Sequence, residues 1–262
     1  MQITDRVFVV TGGGNGIGRQ IALEIVRRGG RVAIADRDAE RLEETRSLAS
    51  RSEAVSLHVL DVTDEQLVQA LPDEVITAQG KIDGIVNVAG IIHRFVPMSE
   101  LSAGEMRAIM EVNFWGTVNT TLALVPLLRK RPEASIVNIS SLSALVAFSG
   151  QGFYGATKGA VKQFSEALYQ ELLNTNVAVT TVFPGNISTN ISGNSGVAML
   201  DAGGRKVPAT TPERTAQLIV DGITRGSFRV IIGNDARLLD GLSRTAPARA
   251  AKLVAAQMKS VL

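Results

Sequence analysis

The sequence predicts an α/β fold, namely a doubly wound, seven-stranded parallel sheet with helices on both faces. Short runs rich in β-branched residues alternate with longer segments of helical periodicity along the 262 residues. Several of the short runs are apolar on both faces, which is typical of central strands in a parallel sheet. The first run leads directly into a glycine-rich turn, as the first strand–helix connection of such folds does.

Seven runs are predicted as strands because they are short, rich in β-branched residues and bounded by turn residues. They cover residues 6–12, 31–36, 54–61, 84–90, 135–141, 177–185 and 229–233. The helical segments between them cover residues 16–28, 38–50, 64–79, 103–130, 154–173 and 212–225. Thr63 or Asp64 would cap the third helix, and Thr211 would cap the sixth, ahead of Pro212 at its first position. This order places a ligand at the carboxyl ends of the strands.

The chain is expected to form a single domain over residues 1–262, because no repeat, low-complexity linker or change of composition divides it. Hydrophobic residues make up 45% and charged residues 20%, which is typical of a chain with a sizeable core. No apolar run approaches the ~20 residues of a membrane span. The N-terminal "MQITDRVFVV" leaves no room for a signal peptide.

Charge and composition argue against several kinds of function. The net charge is only +2, from 27 Lys and Arg against 25 Asp and Glu, so no nucleic-acid partner is expected. The chain has no cysteine, which excludes thiolate chemistry and agrees with a cytoplasmic location. His58 and His93 are the only histidines, too few for a histidine-rich metal site, and no metal is expected.

The turn after the first strand has the composition of a phosphate-binding loop. In "TGGGNGIGRQ", Gly12, Gly16 and Gly18 have the spacing G-x-x-x-G-x-G, with Asn15 and Ile17 beside them. A turn without side chains lets the backbone approach a pyrophosphate, whose charge is stabilised by the following helix N-terminus. The alternative is a glycine-rich turn without a ligand, but the flanking strand and helix favour a dinucleotide.

The end of the second strand indicates which dinucleotide is bound. Asp36 lies near the usual distance from the glycine loop for a carboxylate that binds the adenosine ribose hydroxyls. A carboxylate there repels a 2′-phosphate, so NAD is expected rather than NADP. Arg37 could accept that phosphate, whereas Asn15 in the loop is neutral. Alternatively, Asp36 could be a cap of the next helix.

The stretch "FYGATKGAVKQF" places a tyrosine and a lysine one helical turn apart. In a helix, Tyr154 and Lys158 would share a face with their Cβ atoms about 5–6 Å apart. They could form a surface pair in which the ring covers the lysine stem. Alternatively, the Lys158 ammonium would lower the pKa of the Tyr154 hydroxyl, which is ordinarily about 10. The phenol could then act as an acid or base near neutral pH.

Four motifs in order, "TGGGNGIG", "NVAG", "VNISS" and "YGATK", resemble those of the short-chain dehydrogenase/reductase family. The resemblance extends from residue 7 to about residue 233 and implies a Rossmann fold and NAD(P)-dependent alcohol or ketone chemistry. The catalytic residues that it implies are Asn113, Ser141, Tyr154 and Lys158. Ser141 would bind the substrate oxygen, with Ser140 and Ser143 as competitors for that role. Asn113 would hold a water that links Lys158 to solvent.

The resemblance also implies cofactor contacts beyond the glycine loop, Asp36 and Arg37. Tyr154 and Lys158 would contact the cofactor as well as the substrate. The other residues are Asp61 and Val62 near the adenine, Asn87, Ala89 and Gly90 along the cofactor, and Pro184, Gly185, Ile187 and Thr189 at the nicotinamide and pyrophosphate. Val88 stands where the family often has a second asparagine, and little effect is expected because it would face into the sheet.

Apolar segments at 91–98, 142–153 and 190–211 favour a neutral, fairly apolar secondary alcohol or ketone as the substrate. The glycine-containing loop at about 186–211 would act as a substrate lid. One alternative is an NADP-dependent carbonyl or 3-oxoacyl-carrier reductase, against which Asp36 argues. Another is a non-catalytic, cofactor-sensing binding protein, against which the filled catalytic positions argue.

The segment at about 235–262 is predicted to be a helical tail. Its last 22 residues carry four cations and no acid. It could contact an anionic membrane surface, but a solvated or subunit-packing helix is favoured. The helices at 103–130 and 154–173 resemble the family's dimerisation surface, so a homodimer or homotetramer is expected.

Overall fold

Seven parallel strands form one sheet in this protein, of which a computed structural model describes residues 1–188, Ser195 and residues 209–258. The strand order is β3-β2-β1-β4-β5-β6-β7. All six pairings are parallel, which confirms the predicted doubly wound sheet. The strands are β1 (Val7–Thr11), β2 (Arg31–Asp36), β3 (Val55–Val59), β4 (Gly84–Asn87), β5 (Ala134–Ile139), β6 (Val177–Pro184) and β7 (Arg229–Ile232).

The helices begin and end close to the predicted residues. Asp64 rather than Thr63 caps the third helix, accepting the N–H groups of residues 66 and 67. Thr211 caps the seventh helix, with Pro212 at its first position as predicted. The described helices are α1 (Gly16–Arg27), α2 (Ala39–Leu48), α3 (Glu65–Gln79), α4 (Ala103–Met110), α5 (Gly116–Leu128), α6 (Gly152–Leu172), α7 (Pro212–Arg225), α8 (Asn234–Thr245) and α9 (Pro247–Met258).

Helices cover both faces of the sheet because β1 is apolar on both. Phe8 and Val10 pack in one cluster with residues of α1 and α7. Val7 and Val9 pack in another with residues of α3, α5 and α6. Successive side chains of a strand point to opposite faces, so a strand with no polar interruption supplies two cores.

The sheet reverses its order at β1, which lies between β2 and β4. Ligands of doubly wound folds bind where the carboxyl ends of the strands diverge at such a reversal. The glycine loop follows β1 directly, so the topology places it at this point. The same edge receives the ends of β4, β5 and β6.

The predicted single helix at 103–130 is divided. A π-helical turn at Glu111–Trp115 separates α4 from α5. Turns of this kind insert an extra residue into a helix and occur frequently at functional sites. The turn itself contains neither glycine nor proline, and Gly116 follows it inside an otherwise continuous helical pattern, so the sequence pattern did not predict it.

The C-terminal tail forms two helices that pack against the rest of the chain. Ala250 and Val254 of α9 are buried, and Val254 belongs to an apolar cluster with Leu239, Leu142 and Val146. α9 is thus not a fully solvated helix, and it packs against its own chain; residues 259–262 lie outside the described part of the chain. Among the described residues, none of the helices is both long and apolar enough to cross a membrane.

Candidate active site

A cleft of about 360 Å³ opens at the carboxyl edge of the sheet, within the ~300–1,000 Å³ common for small-molecule sites. Its walls come from the ends of β1, β2, β4, β5 and β6 and from α6. Most of the predicted site residues meet there. Those that line it are Gly12, Asn15, Gly16, Ile17, Gly18, Asp36, Arg37, Asp61, Val62, Ala89, Gly90, Ser141, Tyr154, Lys158, Pro184, Gly185 and Ile187.

Two of the predicted residues that the structure describes do not line the cleft. Asn87 is 3% exposed, and its amide nitrogen donates to Thr121 and Asn138 at 2.8 Å each, so its side chain holds strands and helices together. Asn113 is fully buried behind the cleft wall. Thr189 lies outside the described residues.

Several lining residues were not predicted. Four of them lie one or two positions from predicted residues, so their place at the ends of strands is the sequence feature that could have identified them. They are Leu60, Ile91, Ile139 and Asn186. Val88, expected to face into the sheet, packs against an apolar cluster and also lines the cleft. Arg41 and Val112 reach the cleft from helices, where no local pattern indicates it.

The glycine loop has the geometry of a phosphate cradle. A Cβ on Gly12 would lie 2.9 Å from the backbone nitrogen of Ala89, and a Cβ on Gly18 would overlap the Gly12 carbonyl. Gly16 has φ +53° and open space where a Cβ would be. Asn15 caps α1 by accepting the Gly16 N–H at 2.6 Å. The loop backbone and the amino end of α1 therefore line the cleft, with the side chains of Asn15 and Ile17 beside the glycines, which fits a dinucleotide pyrophosphate.

Asp36 lies beside this loop and is not the cap of α2. Its Oδ2 accepts the Gly14 N–H at 3.1 Å, and its Oδ1 accepts the Asp38 N–H at 3.3 Å. Asp38 is the residue that caps α2, by accepting the Arg41 N–H at 3.1 Å. The Asp36 carboxylate is thus fixed at the cleft, with the exposed Arg37 and Arg41 also lining it.

Tyr154 and Lys158 share the face of α6 that borders the cleft, as predicted. Ser141 lines the cleft together with both of them. Lys158 is 4% exposed, and its Nζ lies 6.0 Å from the centroid of the Tyr154 ring. The same ammonium donates to the Ile139 carbonyl at 3.0 Å. The pair is therefore not a surface contact.

Burial dominates the titration of this pair. It raises the pKa of the Tyr154 hydroxyl, and the Ser141 side chain only partly opposes that effect. Burial also lowers the pKa of Lys158 to about 8. The expectation that Lys158 lowers the phenol pKa is therefore wrong for the unliganded protein, because desolvation disfavours the charged form of both groups.

The serines after β5 have distinct partners. Ser140 is buried and its hydroxyl donates to the Lys158 carbonyl at 2.8 Å, which ties β5 to α6. Ser143 donates its N–H to Ser141 Oγ at 3.1 Å. Of the three, Ser141 is the one whose side chain acts on the pKa of Tyr154, which it lowers.

Asn113 lies in the π-helical turn and holds the chain that follows β4. Its Oδ1 accepts the Ile91 N–H at 2.8 Å, and its Nδ2 donates to the Ile91 carbonyl at 2.9 Å and to Thr157 at 3.0 Å. A Cβ on Gly90 would lie 3.2 Å from Asn113 Oδ1 and 3.3 Å from Lys158 Nζ. Both polar atoms therefore face the same point beside Gly90.

Residues 6–198 match the family described as short chain dehydrogenase. The chain belongs to the short-chain dehydrogenase family. It is accordingly an oxidoreductase that uses a nicotinamide cofactor. No cluster of three or more His, Cys, Asp and Glu side chains able to hold a metal occurs in the described ranges.

Relatives of this short-chain dehydrogenase extend the match over nearly the whole chain. A Mycobacterium tuberculosis protein named "Putative oxidoreductase SadH" is 37% identical over 262 residues, covering 96% of this chain and 94% of that protein. A Burkholderia cenocepacia short-chain dehydrogenase solved with NADP has a TM-score of 0.82 at 25% identity and covers 97% and 99% of the two chains. A Burkholderia phymatum family member solved with NAD shares the fold, with a TM-score of 0.84 at 23% identity over 95% and 96%.

Proposed function

We propose that this short-chain dehydrogenase interconverts a secondary alcohol and its ketone with NAD, and that the substrate is neutral and fairly apolar. The observation that carries the proposal is that Tyr154, Ser141 and the buried Lys158 line one cleft together with the glycine loop. A phenol, a hydroxyl and an ammonium at one point form a proton-transfer group and an oxygen-binding group.

The chain's own residues handle the proton and the substrate oxygen. Hydride transfer is the chemistry that the nicotinamide cofactor supplies when bound. Tyr154 takes the hydroxyl proton in oxidation as the phenolate and returns it in reduction as the phenol, and Ser141 hydrogen-bonds the same substrate oxygen. The Lys158 ammonium and the positive charge of a bound oxidised nicotinamide would favour the phenolate against the effect of burial. Lys158 binds the nicotinamide ribose hydroxyls and remains mostly protonated at pH 7, since its pKa is about 8.

Asn113 acts one step behind these groups. Both hydrogens of its amide nitrogen are committed to Ile91 and Thr157, while its oxygen keeps one lone pair on the Gly90 side. Because Lys158 Nζ faces the same point, we assign to Asn113 a water that returns the proton of Lys158 to solvent.

NAD is proposed over NADP because Asp36 is fixed at the adenosine end of the cleft by two backbone N–H groups. A fixed carboxylate would repel a 2′-phosphate. Arg37 and Arg41 line the same region and favour the second candidate, an NADP-dependent carbonyl or acyl-carrier reductase.

We also propose that the chain is a single domain that forms a homodimer or homotetramer through α4, α5 and α6. Trp115, just before α5, is 45% exposed, and Leu122 of α5 is 51% exposed. Exposed large apolar side chains two helical turns apart, on one side of a helix, are typical of a surface that another protein covers.

A panel of secondary alcohols and ketones tests the function directly. Absorbance of the reduced nicotinamide is followed with NAD(H) and, separately, with NADP(H). Faster turnover of apolar secondary alcohols with NAD supports the proposal. Turnover restricted to NADP and acyl-carrier substrates favours the second candidate, and cofactor binding without any turnover favours a sensor.

A further inference from the structure

The chain that leaves β6 is held by a carboxylate from the C-terminal helices. Asp235 lies in the first turn of α8, and its Oδ2 accepts the Asn186 N–H at 2.9 Å. Asn186 lies between Gly185 and Ile187, and all three line the cleft. A residue near the start of the predicted tail therefore reaches the wall proposed to hold the nicotinamide.

Two glycines leave the space that this carboxylate occupies. A Cβ on Gly185 would lie 2.6 Å from each oxygen of Asp235. A Cβ on Gly233 would overlap the same carboxylate, and Gly233 has φ +104°, which L side chains rarely adopt. The ends of the neighbouring strands β6 and β7 are thus both shaped around one side chain.

The opposite side of the segment is fixed as well. The Asn186 carbonyl accepts the Thr210 N–H at 2.9 Å, and Ser188 donates its N–H to the Thr210 carbonyl at 3.1 Å. Residues 186–188 therefore lie between Asp235 and the chain that enters α7. Ser188 Oγ adds a longer hydrogen bond of 3.4 Å to the Thr210 carbonyl on that side. The restraint from Asp235 is made entirely by a side chain, so it can be removed by substitution.

The helix that carries Asp235 also contacts the other wall of the cleft. Ala236 and Leu239 of α8 pack in one cluster with Leu142 and Val146, which follow Ser141 in the chain. One helical pair therefore touches both the segment after β6 and the segment after β5. This contact keeps α8, and with it Asp235, in a fixed place relative to the catalytic serine.

We propose that Asp235 is a positioning residue, which holds the Gly185–Ile187 wall at the spacing that the nicotinamide half of the cofactor requires. The inference rests on the proposed function, in which this wall contacts the cofactor. What matters is a hydrogen-bond acceptor in the space between the two glycines. The negative charge is dispensable, since a carboxylate near a pyrophosphate contributes repulsion rather than binding.

The test compares Asp235→Ala with Asp235→Asn, which keeps an acceptor oxygen without the charge. Asp221→Ala is the matched control. Asp221 lies on α7, away from the cleft, and forms an ion pair with Arg28. Amide exchange at Asn186 is measured by NMR in the unliganded proteins, and binding of NADH is measured by its fluorescence. Asp235→Ala should speed exchange at Asn186 about tenfold and weaken NADH binding by about three- to tenfold. The other two variants should stay within about twofold of the wild type.

Each other result overturns the proposal in a distinct way. Faster exchange with unchanged NADH binding means that the contact exists but does not position the wall. Equal losses in Asp235→Asn and Asp235→Ala mean that the charge, not the acceptor, is needed. If Asp235→Ala does not fold, Asp235→Glu, which keeps the charge and displaces the oxygens, must show the same weakening. Absence of NADH binding in the wild type contradicts the proposed function itself.

Discussion

Tyr154 and Ser141 line the same cleft, although one residue lies in a long helix and the other follows a strand. The Ser140 hydroxyl strengthens that arrangement by donating to the Lys158 carbonyl, which fastens α6 to the end of β5. The pairing of phenol and serine therefore follows from how this helix docks on the sheet.

Removal of the Ser141 hydroxyl should cost most of the turnover. The hydroxyl lowers the pKa of Tyr154 against the effect of burial and, in the proposed mechanism, hydrogen-bonds the substrate oxygen. We expect Ser141→Ala to reduce kcat/KM by about 10²–10³-fold, as the loss of one oxyanion donor does. Steady-state kinetics measure this, with Ser143→Ala as the control that should retain activity within a few-fold. Equal losses of kcat/KM in Ser141→Ala and Ser143→Ala would mean that neither serine has a specific role in binding the substrate oxygen.

The burial of Lys158 should make the unliganded protein more stable as the pH rises. The pKa of Lys158 is about 8 in the folded protein and about 10.4 in an unfolded chain. Between these values the unfolded chain binds more protons, so the free energy of unfolding increases by up to ~1.4 kcal/mol per pH unit. The free-energy cost of burying the Lys158 ammonium applies in full below about pH 8, and it decreases as the pH rises toward 10.4.

Urea unfolding of the wild type and of Lys158→Met measures this effect without cofactor. Methionine has a similar length and does not titrate. The stability of Lys158→Met relative to the wild type should fall by about 3 kcal/mol between pH 7.5 and pH 10.5. A difference that stays constant over this range would show that the folded pKa of Lys158 is not depressed.

Asp36 should govern the choice of cofactor. Replacement of Asp36 with serine removes the charge that repels a 2′-phosphate and leaves Arg37 and Arg41 in the same part of the cleft. We expect Asp36→Ser to shift the ratio of kcat/KM for NAD to that for NADP by about tenfold or more toward NADP. Arg37→Ala in the Asp36→Ser background should reverse part of the shift. An unchanged ratio in Asp36→Ser would mean that Arg37 governs this pocket.

Gly90 should tolerate no side chain. A Cβ there would crowd Asn113 Oδ1 and Lys158 Nζ, the point assigned above to a bridging water. Gly90→Ala should therefore lower kcat more than it raises KM for the cofactor. Gly159→Ala on α6 is the matched control, because its Cβ would meet nothing within 4 Å and alanine favours a helix by about 0.5–1 kcal/mol. Full activity of Gly90→Ala would contradict the proposed proton path through Asn113.

The sequence predicts the sheet and most of the cleft because both depend on local patterns. Apolar runs such as "RVFVVTG" must be buried on both faces, and a glycine loop after the first of them must meet the other strand ends. Asp36 was likewise predicted from its position at a strand end, and the structure fixes it there through the Gly14 and Asp38 N–H groups.

What the sequence does not predict depends on contacts between distant segments. Asn87 looks like a cleft residue from its position, but its side chain is used by Thr121 and Asn138 inside the protein. The pKa of Tyr154 depends on how deeply α6 packs against the sheet, and helical periodicity in the sequence does not indicate that depth. The contact between Asp235 and Asn186 joins residues 49 positions apart, and it requires the register of β6 against β7.

Tyr154→Phe tests the central claim most directly, with Tyr169→Phe as its control, because these are the chain's two tyrosines and both lie in α6. The account predicts that Tyr154→Phe binds NADH within about twofold of the wild type while kcat falls by at least about 10²-fold, the contribution of a positioned acid or base. Tyr169→Phe should keep normal turnover. Retention of more than a tenth of wild-type kcat by Tyr154→Phe would contradict the assignment of this phenol as the group that exchanges the proton.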